Sequence, residues 1–402
     1  MLNVSHKTSK IEGNVALPIS KSIANRLLVL NYVVGKTQPT EASNQDINTM
    51  QKAIDAIINN QTIDAGEAGT VLRFSLALAA ASPHYEGKII GHPRLFERPI
   101  DDLVDILTSL GAKIEKTDAA IIVKGQKLKG KELVLSNVES SQFISALMMI
   151  APLIENDLTL TIQPNQNSMS YIDLTAQLMQ QMGFEIRKKH NSWTIASAIA
   201  KTTDPPNIEK DWSAASYFFS LALAANTCDI FIEDLQLSSI QGDCIFIKKW
   251  IEDGVFNFKI KGNGILVVGV NKEKIPNWVD FKNQPDIALN FILAMAMNKL
   301  CFTATGLKTL NLNESPRLNI LIKNLEKLNV QVVLMDDETI QIDAQHINFS
   351  PIIINSYNDH RIAMTFAHLG LKTTCQIEGE DSVKKSFPHY WEQLKQLNFD
   401  LQ

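Results

Sequence analysis

Cysteine is scarce: four residues in 402, at positions 228, 244, 301 and 375, with no CxxC pair and no close spacing. That excludes a zinc knuckle or a disulfide framework and fits a reducing compartment. No stretch reaches about 18 unbroken apolar residues, so a membrane-spanning helix is excluded too. The opening segment, Met1 to Gly13, is polar and lacks the apolar centre of a secretory signal, so a cytoplasmic chain is expected. An excess of positive charge is also missing. The 38 Lys and Arg against 43 Asp and Glu leave a formal charge of −5, which offers nothing general to nucleic acid or an anionic bilayer. Any anionic ligand must therefore be met by a local cluster of cations.

What is present is a globular composition, 45% hydrophobic and 20% charged, in a chain too long for one core. Two or three domains are expected. One local pattern recurs along it: an amphipathic helix, a Gly or Asn stop, an extended run, a polar turn, and a second extended run. The stops at Gly111, Gly183, Gly254, Asn329 and Asn398 recur about every 70 residues. Glycine or asparagine after a helix suits a left-handed cap, and alternating apolar residues around a polar turn read as a hairpin. The hairpin turns fall at Thr117-Asp118, His190-Asn191-Ser192, Gly262-Asn263-Gly264 and Asp336-Asp337-Glu338. A partial copy upstream runs from helix Met50 to Ile58 through Asn59-Asn60 into Thr62-Ile63-Asp64, making six in all, or two groups of three.

The last copy ends on Phe399-Asp400-Leu401, half a hairpin. Its natural partner is the N-terminal run Asn3-Val4-Ser5, which would place both termini in one domain. The expected division is residues 1–20 with 208–402 in one domain and an inserted domain over 21–207. The second crossing then lies in the polar, proline-containing stretch 202–207.

The stretch Leu17-Pro18-Ile19-Ser20-Lys21-Ser22-Ile23-Ala24-Asn25-Arg26 sits at the first crossing. Ser20 or Ser22 can cap the helix that follows, and free N–H groups beside Lys21 and Arg26 suit an anion. Other helix starts carry similar groups. They include the turn holding Gly66 and Gly69, Arg98 before a Pro-started helix, Ser140-Ser141-Gln142, Ser168 with Tyr171, and Asp211. Further along come Asp286, Glu314 with Arg317, Asn358-Asp359-His360-Arg361, and Lys384-Lys385-Ser386-Phe387-Pro388. Each alone is an ordinary cap or surface pair. Turned toward a shared cleft between the domains, they form a dense anion site with carboxylates able to move protons.

Read in order, Ser20-Lys21-Ser22 with Asn25-Arg26, Ala68-Gly69-Thr70, Glu97-Arg98-Pro99, Ser140-Ser141-Gln142, Asp359-His360-Arg361 and Lys385-Ser386-Phe387-Pro388 resemble the 5-enolpyruvylshikimate-3-phosphate synthases. The resemblance spans nearly the whole chain. It implies an α/β fold of two domains, each of three βαβαββ units around a pseudo-threefold axis (an inside-out α/β barrel). It also implies transfer of the enolpyruvyl group of phosphoenolpyruvate to the 5-hydroxyl of shikimate 3-phosphate in the shikimate pathway to aromatic amino acids. That chemistry is addition and elimination, without metal or cofactor, in a chain expected to be monomeric.

By the same resemblance, Ser22, Arg26, Ser140, Ser141, Ser168 and Tyr171 would hold shikimate 3-phosphate. Gly69, Arg98, Arg317, Arg361 and Lys385 would hold phosphoenolpyruvate, and Lys21 and Gln142 would lie near both. Asp286 would contact the ring hydroxyls, Glu314 would lead the proton transfers, and Lys21 and Asp286 could share in them. Three positions depart from the family pattern: Asn313 replaces a substrate-binding lysine, Pro316 an aspartate, and Glu67 an asparagine. They leave room for a weakened or non-catalytic relative that binds phosphorylated metabolites. The sister UDP-N-acetylglucosamine enolpyruvyl transferases usually carry a cysteine on the loop before the Arg-Pro segment, and Gly91 to Phe96 has none.

Overall fold

The computed structural model describes residues 1–36, 44–136, 138, 140–163, 167–199 and 205–402. Of the expected crossing at 202–207, residues 202–204 lie outside the described residues. The chain forms two compact units, a terminal unit of Met1–Ile19 with Glu209–Gln402 and an inserted unit of Ser20–Ile208.

One sheet plan recurs. In the terminal unit, Lys10–Val15 runs parallel to Thr227–Ile232. That strand is antiparallel to Gly264–Val270, which closes a hairpin with Phe256–Lys261. Trp278–Asp280, Cys301–Thr305, Ile340–Asp343 and Gln331–Leu334 repeat this order. So do Ile352–Asn355, Cys375–Glu378, Leu2–His6 and Phe399–Leu401. In that last sheet the N-terminal strand fills the vacant hairpin place, with Val4 opposite Leu401 and Ser5 opposite Asp400.

The inserted unit holds two sheets of the same plan. One is Ile63–Asp64, Glu86–Ile90, Ile121–Lys124 and Lys113–Lys116; the other is Glu132–Leu135, Leu158–Ile162, Ser192–Ile195 and Ile186–Lys189. Among the described residues there are thus five sheets where the sequence pattern anticipates six copies. The run Thr62-Ile63-Asp64 does not close an upstream copy. Ile63 is fully buried opposite Ile89, so the run starts the next sheet instead. Helices Lys21–Val33 and Gln45–Ile58 are what the described residues show of the sixth copy.

The helix stops take the expected backbone form. Gly111, Gly183, Gly254, Asn329 and Asn398 have φ of 107°, 85°, 79°, 61° and 66°. A left-handed residue there ends the helix and aims the chain back along the sheet.

Several helices are buried all round. Trp212–Ala224, Ala288–Met297 and His360–Phe366 pack against one another in the terminal unit, and Lys21–Val33, Gly69–Ala80 and Ser141–Ile150 do so in the inserted unit. A helix without a polar face is stable only inside a core. Its remaining polar feature is its N-terminal end, where the first N–H groups have no partner within the helix. The fold therefore places its chemistry at helix starts. No helix among the described residues is long and apolar enough to cross a membrane.

Candidate active site

The terminal unit brings together all five of its anticipated site residues. Asp286 lies in the 3-10 turn Pro285–Ile287, and Glu314 stands just ahead of Arg317, the first residue of helix Arg317–Lys327. Arg361 is in the first turn of helix His360–Phe366, and Lys385 ends the 3-10 turn Glu380–Lys385. Asp286 is held by two arginines: Oδ2 is 2.9 Å from Arg361 Nη2, and Oδ1 is 3.6 Å from Arg317 Nη1. Arg361 Nη1 also donates to the Asp286 main-chain oxygen at 2.8 Å. Glu314 Oε2 lies 3.3 Å from His360 Nδ1 and 3.7 Å from Lys385 Nζ. Lys385 in turn donates to the main-chain oxygen of Asn358 at 2.6 Å.

Asp359 and His360 belong to the quoted motif but had no assigned task, and the structure gives them one. Asp359 caps its helix by accepting from the Arg361 N–H at 2.9 Å. It also accepts from Arg317 Nε at 2.8 Å, Arg317 Nη2 at 3.2 Å and Ser315 Oγ at 2.8 Å. This carboxylate has no exposed surface. An aspartate in a capping position directly before His-Arg was the available signal, but a cap does not announce a second, buried guanidinium partner.

These contacts decide the charges. Burial works to raise the Glu314 carboxyl, yet His360, Arg317 and Lys385 outweigh it and hold the group well below the usual carboxylate range. Asp359 is likewise opposed by burial and held down, chiefly by Arg317. Burial pushes Tyr217, beside Arg361, up to about 12. The cluster is a set of fixed cations around an ionised, nearly enclosed glutamate. Such a site can bind phosphate or carboxylate and pass a proton. The ligand atoms of Glu314, Asp359 and His360 all lie within 4.8 Å of one another, the metal-capable group among the described residues. Arg317 and Lys385 already neutralise those same carboxylates.

The inserted unit gathers a second group. Ser20 caps helix Lys21–Val33, accepting from the Ile23 N–H at 3.4 Å, and Lys21 Nζ lies 2.9 Å from Asp46 Oδ2. Arg26 is turned inward. It donates to Thr175 Oγ1 at 2.7 Å, Ser145 Oγ at 3.2 Å, and the main-chain oxygens of Ser22 at 2.8 Å and Tyr171 at 3.4 Å. Burial lowers it to about 10, so it stays charged at neutral pH. Those bonds pin together two segments expected to meet the same ligand, around Ser22 and Tyr171.

Gly69 is the first residue of helix Gly69–Ala80, so the expected glycine turn runs directly into the helix. No side chain caps that helix. A Cβ on Gly69 would stand 2.6 Å from Arg98 Nη1 and 2.7 Å from Arg73 Nη1. Only glycine lets two guanidinium groups approach this helix start together. Arg73 was missed as a site residue, although a lone arginine in the apolar run 71–81 is a signal. It donates to Gln142 Oε1 at 2.8 Å and to the Pro99 main-chain oxygen at 2.9 Å, and Gln142 Nε2 donates to Thr70 Oγ1 at 3.1 Å. Ser140 caps helix Ser141–Ile150, accepting from the Gln142 N–H at 3.2 Å, and Ser141 is buried in its first turn. Ser168, before helix Met169–Gln181, is left-handed at φ 60° without making a capping bond. A non-glycine residue pays about 1–2 kcal/mol for that conformation.

Against solved structures, the chain is similar over 100% of its length to an EPSP synthase from Acinetobacter baumannii, with TM-score 0.71 and 19% identity, covering 99% of that chain. It is also similar to the enolpyruvyl transferase NikO from Streptomyces tendae, with TM-score 0.70, 12% identity, and cover of 100% of this chain and 98% of that one. The fold is that of the enolpyruvyl transferases. Among relatives by sequence, the 3-phosphoshikimate 1-carboxyvinyltransferase of Bacteroides fragilis is 32% identical over 98% of this chain and 97% of its own length. That of Colwellia psychrerythraea is 30% identical over 97% of both chains. The profile for EPSP synthase (3-phosphoshikimate 1-carboxyvinyltransferase) matches residues 35–394, and the chain belongs to that family. It is a transferase, and the UDP-N-acetylglucosamine reading is not favoured.

Proposed function

We propose that this protein transfers the 1-carboxyvinyl group of phosphoenolpyruvate to the 5-hydroxyl of shikimate 3-phosphate, with release of phosphate, in the cytoplasm and as a monomer. The observation that supports it most is the convergence of Arg317, Arg361 and Lys385 on Asp286 and Glu314. Three cations suit the phosphate and carboxylate of phosphoenolpyruvate. Glu314, ionised in the free protein, gains proton affinity when those anions offset Lys385 and Arg317. It then takes up a proton and delivers it to the methylene carbon. Asp286 receives the proton of the attacking hydroxyl as the new C–O bond forms; in the elimination that follows, Glu314 takes a proton back from the methyl group, the C–O bond to phosphate breaks, and phosphate leaves with the proton held by Asp286. In the inserted unit, Lys21, Ser22, Arg26, Ser140, Ser141, Gln142, Ser168 and Tyr171 hold shikimate 3-phosphate, and Arg26 also keeps two of those segments in register. Gly69 and Arg98 meet phosphoenolpyruvate. Both units then serve one reaction.

The test is phosphate release from phosphoenolpyruvate, expected only when shikimate 3-phosphate is present. Release with UDP-N-acetylglucosamine instead, or binding without release, would overturn the assignment.

Asn313 bears on affinity. Its Nδ2 donates to the main-chain oxygens of Thr309 at 3.1 Å and Leu310 at 3.5 Å, closing the 3-10 turn Lys308–Leu312. Asn313→Lys gives up that closure and restores a cation. A charged hydrogen bond contributes about 1.5–3 kcal/mol, so the KM for shikimate 3-phosphate is expected to fall roughly tenfold or more. An unchanged KM would mean that other groups already compensate.

A further inference from the structure

Asp243, in the first turn of helix Gly242–Glu252, has no part in the scheme above and is 5% exposed. The Ser213 hydroxyl donates to its Oδ2, and no basic side chain among the described residues comes within ion-pair distance of it. Its neighbours come from three other elements. Ser213 and Asp211 stand at the start of helix Trp212–Ala224, Asp286 in the turn Pro285–Ile287, and Arg361 on helix His360–Phe366. The elements are tied together as well: Gln284 Nε2, one residue ahead of that turn, donates to the Gly242 main-chain oxygen at 3.3 Å, and the turn packs on helix Trp212–Ala224. Asp243 thus sits on a helix start tied directly to the turn in which Asp286 pairs with Arg361.

We propose that Asp243 is a positioning residue for the reaction, buried without an ion-pair partner next to the Asp286 turn and protonated on the acid side of neutrality, so that there Asp286 alone carries the carboxylate charge facing Arg361. This rests on the assignment of Asp286 above. Burial without an ion-pair partner makes ionisation of a carboxyl unfavourable, and a neighbouring carboxylate adds repulsion. Burial first, then the Asp286 charge, pushes Asp243 up to about 7, against the pull of Ser213 and Arg361. When Asp243 ionises above that point, a second negative charge enters a site built for anions. It weakens substrate binding and strengthens the hold of Asp286 on its proton.

Asp243→Asn keeps the shape and the acceptor for Ser213 while fixing the neutral state. The ratio of its kcat/KM for phosphoenolpyruvate to that of the unmodified protein is expected near one at pH 6. It should rise about three- to tenfold by pH 8.5, mostly through KM, which is the scale of one added like charge in a partly screened site. Taking the ratio cancels the titration of the substrate phosphates. Ser213→Ala, which removes the donor that favours the ionised form, is expected to move the same step to higher pH, and Asp243→Glu to retain it.

A second readout needs no substrate. A carboxyl raised from 3.8 to about 7 stabilises the folded state fully below pH 3.8 and loses that contribution as the pH rises to 7. The melting temperature of Asp243→Asn minus that of the unmodified protein is therefore expected to climb between pH 4 and 7 and to level off above. A flat kinetic ratio in an active enzyme, or a flat melting difference, overturns the role of Asp243 alone. If the unmodified protein releases no phosphate at any pH, the reaction assignment falls and takes this role with it.

Discussion

Glu314→Gln is expected to lower kcat for phosphate release by about 10²- to 10⁴-fold, the usual contribution of a positioned general acid or base. The amide keeps the size of the side chain but cannot carry the proton. The geometry also specifies what should happen to binding. Glu314 Oε2 faces Lys385 at 3.7 Å and His360 at 3.3 Å, so the substitution leaves those groups without their carboxylate partner. An anionic substrate then meets a more positive site, and the KM for phosphoenolpyruvate should stay level or fall while kcat collapses. That split separates loss of a proton-transfer group from general damage, which raises KM as well. Measured kcat within about threefold of the unmodified enzyme would remove Glu314 from the chemistry and leave Lys21 or Asp286 to carry it.

For stability, the largest effect is expected from Asp359→Ala. Asp359 accepts four hydrogen bonds, two of them from Arg317, whose side chain is 4% exposed. Removing one partner of a buried ion pair costs about 3–5 kcal/mol, and Arg317 would keep only its longer, 3.6 Å contact with Asp286. Loss of the helix cap adds about 1 kcal/mol. For a unit of this size, each kcal/mol shifts the melting temperature by roughly 2–4 °C, so a fall of about 8–24 °C is expected. A compensating Arg317→Met in the same chain should recover much of it, because the stranded charge is then gone. If Asp359→Ala melts within about 2 °C of the unmodified protein, the pair is not the anchor its burial implies. Activity should be lost in both variants, since Arg317 would no longer be held beside Asp286.

Much of the scaffold was legible from the residues because its rules act over short distances. A helix stop needs only glycine or asparagine where φ must be positive, and Gly111, Gly183, Gly254, Asn329 and Asn398 all sit there. Hairpins follow from alternation around a polar turn, and caps at Ser20, Asp211 and Asp359 from a short polar side chain three or fewer residues before its N–H partner. Even the pairing of the run Asn3-Val4-Ser5 with Phe399-Asp400-Leu401 could be anticipated, since the last hairpin lacked a strand; the register, Val4 opposite Leu401, came from the structure. The same rules misplaced Ile63, because a two-residue strand has too little pattern to say which sheet it joins.

What only the tertiary structure decided is where each charge finds its partner and whether water reaches it. Arg26 and Arg361 look alike in sequence, each following a helix-start motif. One bonds to Thr175 and Ser145 deep inside its unit, and the other faces Asp286. Arg73 drew no attention as a site residue, and Asp359 only as a member of its motif, since an arginine in an apolar run and a cap are both ordinary. Their partners Gln142 and Arg317 are distant along the chain. The energy of such a pair depends on separation and burial, and neither is written in local pattern. The sequence by itself determined the repeated unit and the helix starts that carry polar groups. The packing of the chain determined which of those groups gather around Glu314 and which bond to partners inside their own unit.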